Sequence, residues 1–393
     1  MTSTLPRRVL VLGLARSGQA AAAALARHGV DVVAVDSKLG NDEDESALDG
    51  VELVVKSPGV PGENVLVTTA RAREIPVWSE VELGFRLLPG AHFVGVTGTN
   101  GKTTTTELLG AMFRAAGRDV AVAGNVGRPL TSIEPADWVV CELSSFQLED
   151  VHTLACEIAV LLNLEPDHLD RHPSFDAYRE AKLRIFERAT TAIVPLGQAL
   201  PGTVFSGNDP LPAEPRIPGA HNRENAAAAT AAACAAGIAD EAIVEALRTF
   251  PGVEHRLEVV AEVGGVLYVN DSKATNVAAA RRALAAYDKP VHVILGGSLK
   301  GEDFEPLAAA MGDDVRAAYL IGDAADELDT ALRPTGIRIE RCGDLVTAVA
   351  RAAAAAHAGE IVLLSPACAS FDAFRDFEHR GEEFRRLAQN LGG

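Results

Sequence analysis

The sequence predicts an α/β protein of three domains, each built on a mostly parallel sheet. The chain has 393 residues, which is too long for one ordinary core. Short apolar runs alternate with alanine-rich stretches along its length, a pattern typical of parallel sheets covered by helices on both faces. Two Pro/Gly breaks, at 88–90 and 250–252, interrupt this alternation. We therefore expect domains at 1–89, 90–252 and 253–393.

Within each predicted domain, the strands are apolar runs rich in β-branched residues, and the helices are the periodic segments that follow them. The first domain has predicted strands at Val9–Leu12, Asp31–Val35 and Val51–Val55, and a helix at Gln19–His28. The second has predicted strands at His92–Val96, Val120–Ala123, Trp138–Glu142 and Ile158–Leu162, and helices at Thr103–Ala116, Phe175–Ala189, His221–Ala236 and Asp240–Thr249. The third has predicted strands at Leu267–Asn270, Val291–Leu295, Ala317–Ile321 and Ile361–Leu364, with helices between them.

Composition excludes several classes of protein. The 36 Lys and Arg residues against 54 Asp and Glu give a formal net charge of −18, which argues against a nucleic-acid partner. No uncharged stretch is long enough to span a bilayer, so we expect no membrane partner. The five cysteines are scattered and form no CxxC pair, which is typical of reduced thiols in a cytoplasmic protein.

The strongest motif is the glycine loop TGTNGKTT at 97–104. It follows a predicted strand and opens a predicted helix, where a phosphate-binding loop is expected. Lys102 would reach the β- and γ-phosphates of a nucleotide, and the Thr103 hydroxyl would bind Mg²⁺. Val96 stands where a strict Walker pattern has its first glycine, so the loop is a variant of that pattern. An ordinary glycine turn before a helix is the alternative.

Polar residues follow the next two apolar strands. Glu142 ends one of them beside the phosphate loop. At this position its carboxylate would be a ligand of Mg²⁺, and the alternative is a strand end in solvent. His168 stands among carboxylates in the segment 163–170. It is interpreted either as a metal ligand or as a surface histidine. By sequence alone, Lys182 is an ordinary helical lysine.

The first domain opens with a glycine turn at 13–18 that is similar to a dinucleotide fingerprint, and Asp36 follows the second strand. Ala15 replaces the middle glycine, and its methyl group would crowd a pyrophosphate. A nicotinamide dehydrogenase is therefore disfavoured, while binding of another nucleotide and a purely structural turn are both alternatives.

Three polar segments of the third domain, at 270–276, 296–300 and 365–371, each follow a predicted strand. The carboxyl ends of parallel strands meet at one sheet edge, so we expect these segments to converge. Their Lys, Ser and Thr side chains, with Arg256 upstream, suit an anionic carboxylate ligand.

These motifs make the sequence similar to the Mur ligases, the ATP-dependent amide ligases of peptidoglycan synthesis, over nearly the whole chain. The matching motifs are TGTNGKTT at 97–104, GNVG at 124–127, ELSSFQLE at 142–149, DHLDR at 167–171, AKLRIF at 181–186, HN..N at 221–225, HR at 255–256, NDSKATN at 270–276 and SPACASFD at 365–372. NDSKATN and SPACAS are specific to the D-glutamate-adding branch, whereas sister ligases and folylpolyglutamate synthases share the phosphate loop and the HN..N segment.

The resemblance implies a role for each matching residue. Positions that match ATP contacts are Gly98, Thr99, Asn100, Gly101, Lys102, Thr103, Thr104, Asn222, Asn225, Arg256 and Asp271. Positions that match contacts to the UDP-substrate are Arg16, Ser17, Asp36, Ser57, Gly59, Asn125 and Gln147. Positions that match D-glutamate contacts are His168, Thr275, Lys300, Ser370 and Phe377.

The resemblance also implies the catalytic and metal-binding groups. The catalytic residues would be Lys102, Glu142, His168 and Lys182, and the ligands of two Mg²⁺ ions would be Thr103, Glu142, His168 and Lys182. Lys182 matches the family lysine that CO₂ converts to a carbamate, which replaces a cation by an oxygen ligand.

The expected architecture is a Rossmann-like N-terminal domain for the UDP-substrate, a P-loop ATPase-like central domain, and a Rossmann-like C-terminal domain that binds the incoming amino acid and completes the ATP site. The expected reaction adds D-glutamate to UDP-N-acetylmuramoyl-L-alanine through an acyl phosphate, in the cytoplasm and by a monomer. The alternatives are a Mur-type or folylpolyglutamate-type ligase with a different acceptor, and a non-catalytic nucleotide-binding homologue. The segment 188–221 is shorter than the family pattern, which predicts a loss of antiparallel strands beside the central sheet.

Overall fold

The computed structural model describes residues 5–168, 171–299, 301 and 303–392. The chain divides into two compact units, one formed by Met1–Pro215 with His221–Phe250 and the other by Arg216–Ala220 with Pro251–Gly393. In the described part of the chain, the first unit holds two sheets and the second holds one. The division into three domains with boundaries near residues 89 and 252 stays a prediction.

The first sheet of the first unit has four parallel strands. They are β1 (Arg8–Leu12), β2 (Asp31–Val35), β3 (Leu53–Lys56) and β4 (Val77–Ser79), in the order β2-β1-β3-β4. The helices of this region are α1 (Arg16–Arg27), α2 (Val65–Ala72) and α3 (Glu80–Leu87). Val9 and Val11 of β1 pack in one apolar cluster and Leu10 and Leu12 in another. Both faces of the sheet are therefore covered, as its continuous apolar strands predict.

The second sheet of the first unit has six parallel strands. They are β5 (His92–Thr97), β6 (Val120–Gly124), β7 (Trp138–Glu142), β8 (Ile158–Leu161), β9 (Thr191–Pro195) and β10 (Thr203–Phe205). The accompanying helices are α4 (Lys102–Ala115), α5 (Ser145–Leu148), α6 (Phe175–Leu183), α7 (Ala220–Ala235) and α8 (Asp240–Thr249). The strand order β10-β9-β8-β5-β7-β6 places β5 between β7 and β8. The loops that follow these three strands are therefore neighbours at one sheet edge.

The second unit contains the third sheet. Its strands are β11 (Glu258–Val263), β12 (Val266–Asn270), β13 (Val291–Gly296), β14 (Val315–Ile321), β15 (Arg338–Gly343) and β16 (Ile361–Leu364). Its helices are α9 (Val277–Leu284), α10 (Glu305–Ala308), α11 (Ala325–Leu332), α12 (Leu345–Ala355) and α13 (Phe377–Asn390). The order is β11-β12-β16-β13-β14-β15, and every pair is parallel except β11 with β12.

The structure differs from the sequence prediction mainly at sheet edges. The helix predicted over Phe175–Ala189 ends at Leu183, where the chain tightens into a 3₁₀ turn over Arg184–Phe186. The strands β4, β9, β10, β11 and β15 were not predicted. β4 and β10 have only three residues each, β9 has a short apolar run that ends at Pro195, and charged residues interrupt the apolar pattern of β11 and β15. In the shortened segment, β10 pairs in parallel with β9 and forms an edge of the central sheet.

None of the helices within the described residues combines the length and the apolar character that a membrane span requires.

Candidate active site

The glycine loop between β5 and α4 has the predicted backbone geometry. Gly98 and Gly101 have φ angles of 156° and 82°, which L side chains rarely adopt. A Cβ atom on Gly101 would lie 2.1 Å from Oδ1 of Asn225, so glycine is required for α7 to pack against the loop. Asn225 also donates to Asn222 on the same helix, at 3.4 Å. Two of the predicted ATP contacts are thus placed beside the phosphate loop.

The loop is held by polar contacts to the segment that follows β8 and to α6. The Thr99 hydroxyl lies 2.9 Å from the Tyr178 hydroxyl and accepts from the Glu165 N–H at 3.0 Å. The Asn100 N–H donates to Oδ1 of Asn163 at 2.8 Å. These bonds fix the loop before any phosphate binds.

Two lysines meet at a single oxygen of this loop. Nζ of Lys102 and Nζ of Lys182 donate to the Gly98 carbonyl, at 2.9 and 2.7 Å. Lys182 is 2% exposed, and its Nζ lies 4.7 Å from the centre of the Tyr178 ring. Burial, with the nearby Lys102 charge, lowers the pKa of Lys182 to about 6. At neutral pH the Lys182 side chain is therefore mainly a free amine.

The loop fits a triphosphate. Gly98 and Gly101 permit the turns of the loop, and α4 begins at Lys102, so the helix N-terminus faces the loop. Thr103 lies in the first turn of α4, as predicted. The Thr104 hydroxyl is buried and has no hydrogen-bond partner among the residues that the structure describes.

Glu142 ends β7 and His168 lies in the segment after β8, and these two strands flank β5. Glu142 is 2% exposed and accepts from the Asn125 side-chain amide at 3.1 Å. His168 has a φ of 54°, and its ring, half exposed, lies 5.0 Å from that of Phe146. Leu169 and Asp170 lie outside the described residues. Among the residues that are described, no three His, Cys, Asp or Glu side chains are grouped as a metal site. A metal ion there would need other oxygen ligands as well.

A cavity of about 530 Å³ lies at the carboxyl ends of β1, β2 and β3. Five residues predicted to contact the UDP-substrate line it, namely Arg16, Ser17, Asp36, Ser57 and Gly59. The backbone N–H groups of Leu14 and Lys38 donate to the Asp36 carboxylate and hold its pKa below the usual range.

The other two predicted UDP-substrate contacts, Asn125 and Gln147, do not line this cavity. Gln147 is fully buried and closes a capping box with Ser144 at the start of α5. Its Nε2 atom has no partner within the described part of the chain, so it can still donate to a ligand.

The prediction that three polar loops of the second unit converge is confirmed. The Ser365 hydroxyl donates to Asp271 at 2.8 Å, and Ser298 pairs with Ala369 across two loops. Burial raises the pKa of Asp271 to about 7, against the opposing charge of Arg256. Nε of Arg256 is buried without a hydrogen-bond partner among the described residues.

The predicted D-glutamate contacts of this unit lie on or beside those loops. Ser370 is buried, whereas Thr275 and Phe377 are half buried. The carbonyl of Phe377 accepts from the Ser272 hydroxyl at 2.8 Å. Lys300 lies outside the described residues.

Sequence reasoning missed two residues that build these sites. Arg380 is fully buried and donates to the carbonyls of Ser272, Cys368, Ala369 and Gly296, which joins the three loops. No periodic signal marks it. Tyr178 could have been found, because it lies four residues before Lys182 and therefore on the same face of α6.

Comparison with known proteins agrees with this geometry. The family model of the Mur ligase middle domain matches residues 96–205, and that of the Mur ligase, glutamate ligase domain matches residues 255–368. Among solved structures, the chain resembles UDP-N-acetylmuramate-alanine ligase MurC from Thermotoga maritima with a TM-score of 0.65 at 19% identity, over 98% of this chain and 99% of that one. It also resembles E. coli FolC in complex with DHPP and ADP, with a TM-score of 0.59 at 20% identity, over 79% and 92%. These two likenesses show the fold.

Curated relatives found by sequence have a higher sequence identity to this chain than these solved structures have. The chain is 42% identical to the UDP-N-acetylmuramoylalanine--D-glutamate ligase of Anaeromyxobacter dehalogenans over 453 aligned positions, covering 97% of each protein. Ligases of the same name from Sphingopyxis alaskensis and Bacillus subtilis are 42% and 37% identical, over 98% and 95% of this chain and 98% and 96% of theirs. The 453 positions exceed the 393 residues of this chain, so the first relative carries segments that this chain lacks. The chain belongs to the Mur ligase family, among the UDP-N-acetylmuramoylalanine--D-glutamate ligases.

Proposed function

We propose that this protein joins the amino group of D-glutamate to the terminal carboxyl group of UDP-N-acetylmuramoyl-L-alanine, with hydrolysis of ATP to ADP and phosphate. Full-length identity of about 40% to ligases of that name supports these substrates. The observation that carries the reaction type is the phosphate loop with Lys102 and the amine of Lys182 at one carbonyl.

A carboxylate is a poor acyl donor, so a phosphoryl group must first convert it into a mixed anhydride. The γ-phosphoryl group passes to a carboxylate oxygen and ADP leaves. The amine of D-glutamate then attacks the carbonyl carbon, loses a proton and expels phosphate. In the first step two anions approach each other, and the Lys102 ammonium beside the phosphate loop would offset their repulsion.

Lys182 is suited to react with CO₂. Carbamate formation needs a neutral amine, and a lysine with a pKa of about 6 supplies one at neutral pH. The N–C bond forms between Nζ and CO₂, one proton leaves, and the product is an anion. The carbamate anion would attract the Lys102 ammonium, which the neutral amine does not, and this attraction would stabilise the modified side chain.

We further propose that Thr103, Glu142, His168 and carbamylated Lys182 hold two Mg²⁺ ions. Magnesium prefers oxygen ligands, and a carbamate adds oxygens to a region where the described residues show no group of three His, Cys, Asp or Glu side chains. When bound, the ions would supply positive charge against the phosphates.

The remaining assignments of the site follow from the family pattern. We propose that the cavity at the ends of β1 to β3 receives the UDP group, with Asn125 and Gln147 contacting the sugar side of the substrate. Arg256, Asp271, Asn222 and Asn225 would contact ATP. The residues proposed to contact D-glutamate are His168, Thr275, Lys300, Ser370 and Phe377.

We place the reaction in the cytoplasm, where ATP is available and where cysteines stay reduced. None of the five cysteines, all of which lie among the described residues, forms a disulfide, and Cys141, Cys156 and Cys368 are buried. The three-domain organisation and the monomeric state are part of the same proposal.

The test is an ADP-release assay on the purified chain with ATP, magnesium and UDP-N-acetylmuramoyl-L-alanine. We expect release when D-glutamate is added and none with L-glutamate, L-alanine or L-lysine. Release with UDP-N-acetylmuramate and L-alanine instead would assign a sister activity, and no release with any acceptor would contradict a ligase.

A further inference from the structure

Arg171 lies where three parts of the first unit meet. Its guanidinium donates to the carbonyls of Gly59 and Val60, at 3.4 and 3.2 Å. Both residues line the cavity assigned above to the UDP group.

The same guanidinium rests on an aromatic ring that contacts the histidine proposed as a metal ligand. Its central carbon lies 4.7 Å from the centre of the Phe146 ring. That ring lies 5.0 Å from the ring of His168 and stacks on the ring of His172 at 5.2 Å. Phe146 immediately precedes Gln147, which was assigned to the UDP-substrate. The Arg171 side chain thus contacts both the cavity wall and the Phe146 ring, which lies against His168.

The backbone strengthens this connection. The N–H groups of Arg171 and His172 both donate to the His168 carbonyl, at 3.0 and 2.9 Å. His172 is itself fixed, because Nε2 lies 2.9 Å from the Ser145 hydroxyl and Nδ1 lies 3.2 Å from a Glu149 oxygen. His168 therefore cannot shift freely without moving Arg171, and Arg171 cannot shift without releasing the cavity wall.

A second cation holds the same Val60 carbonyl. Nζ of Lys56 donates to the Val60 carbonyl at 3.4 Å and lies 3.0 Å from an Asp150 oxygen. Lys56 from β3 and Arg171 from the His168 segment therefore both donate to one carbonyl of the loop 57–61. Since this loop lines the cavity, a ligand bound there would contact it.

We propose that Arg171 is a positioning residue that couples occupancy of the UDP cavity to the placement of His168. Binding of the nucleotide-sugar in the cavity then favours binding of a divalent cation at His168, and binding of the cation favours the nucleotide-sugar by the same factor. The proposal rests on the proposed function, because it takes its two ligands from there.

The experiment measures binding and not turnover. The affinity of the full chain for UDP-N-acetylmuramoyl-L-alanine is determined by calorimetry, with and without Mn²⁺ and ADP, in the absence of D-glutamate. We expect the cation with ADP to tighten binding of the nucleotide-sugar about tenfold in the wild type, within the usual range of couplings. Arg171→Ala should lower this factor to about one.

Arg171→Lys tests whether the coupling needs the planar guanidinium of Arg171 or only its positive charge. Lysine keeps the cation but has no planar fork to hold two carbonyls and stack on a ring, so it should also lose most of the coupling. Arg188→Ala is the matched control, because Arg188 is exposed and pairs only locally with Glu187, and it should keep the wild-type factor. Circular dichroism of each variant checks that it is folded.

The possible results distinguish a failure of the coupling through Arg171 from a failure of the proposed ligase function. A wild-type factor near ten that falls to about one in both Arg171 variants supports the coupling. An unchanged factor in Arg171→Ala, or a wild type that binds the nucleotide-sugar without any coupling, would overturn it and leave the proposed function intact. Absence of any nucleotide-sugar binding by the wild type would overturn both.

Discussion

Two lysines of the first unit are buried to the same extent, and their surroundings are opposite. Lys56 is 1% exposed, and its ammonium lies 3.0 Å from the Asp150 carboxylate. Lys182 is 2% exposed and meets a carbonyl, an aromatic ring and the charge of Lys102. Burial alone therefore does not separate a structural lysine from a reactive one.

The charges around each lysine make the difference. A buried cation next to a buried anion is stabilised as a pair, and removing either partner leaves an uncompensated charge. Burial and the nearby Lys102 charge destabilise the Lys182 cation more than Asp167 and Glu142 stabilise it, so Lys182 releases its proton instead. The charged Lys56 is thus suited to hold the cavity loop in place, and the neutral amine of Lys182 is suited to react with CO₂.

Replacing Lys182 should give the largest effect, and it should fall on activity. We expect Lys182→Met to lower kcat by about a thousandfold or more, roughly 4 kcal/mol of barrier, because the metal-binding carbamate is lost. Its free energy of unfolding should not fall by more than about 1 kcal/mol, since methionine fills similar volume and carries no charge. ADP release and urea unfolding measure the two quantities.

Lys289→Met is the control for this prediction, because Lys289 is exposed and should keep full activity. A short carboxylic acid added to Lys182→Ala should restore part of the activity by supplying oxygen ligands. Full activity of Lys182→Met without any addition would exclude a metal role for this residue.

Replacing Lys56 should lower the stability of the protein, in contrast to Lys182, whose replacement should lower its activity. Lys56→Met leaves the Asp150 carboxylate buried beside Arg71 alone, and we expect the free energy of unfolding to fall by about 3 kcal/mol. Arg71→Ala removes the half-exposed partner of the same carboxylate and should cost at most about 1 kcal/mol. Urea unfolding of both variants measures this difference.

The double variant Lys56→Met with Asp150→Leu should recover most of the stability, because it removes both charges together. A Lys56→Met protein as stable as the wild type would show that the pair contributes nothing, and the comparison of the two lysines would then fail.

Over about two pH units, the pH dependence of stability should be slightly smaller than the loss of stability in Lys56→Met. The pKa of Lys182 is about 6 in the folded state and 10.5 in its ordinary range, so between these values the unfolded chain binds the extra proton. The free energy of unfolding of the wild type should therefore rise with pH relative to Lys182→Met, by roughly 1.4 kcal/mol per pH unit. Below the folded pKa the difference should level off.

Urea unfolding of the wild type and of Lys182→Met at about pH 7, 8 and 9, in buffers freed of CO₂ so that the amine stays unmodified, provides this measurement. A constant difference between the two proteins over this range would mean that the Lys182 pKa is close to that of a free lysine.

The sequence predicted the fold class, most central strands and the phosphate loop, because these depend on local patterns. Trp138–Glu142 and Ile361–Leu364 have the predicted bounds, since buried parallel strands are continuous apolar runs. Gly98 and Gly101 stand where the backbone requires them. The edge strand β11 escaped prediction because Glu258 and Glu262 interrupt its apolar pattern.

By itself, then, the sequence determined where the backbone turns and which strand ends carry polar side chains. Only the tertiary structure decided that Lys182 shares an oxygen with Lys102, that Arg171 connects the cavity wall to His168, and that Arg380 joins three loops. The physical reason is that a proton affinity or a buried ion pair depends on which charges and carbonyls lie within a few ångströms. Chain segments far apart in sequence supply those neighbours, and no local pattern records them.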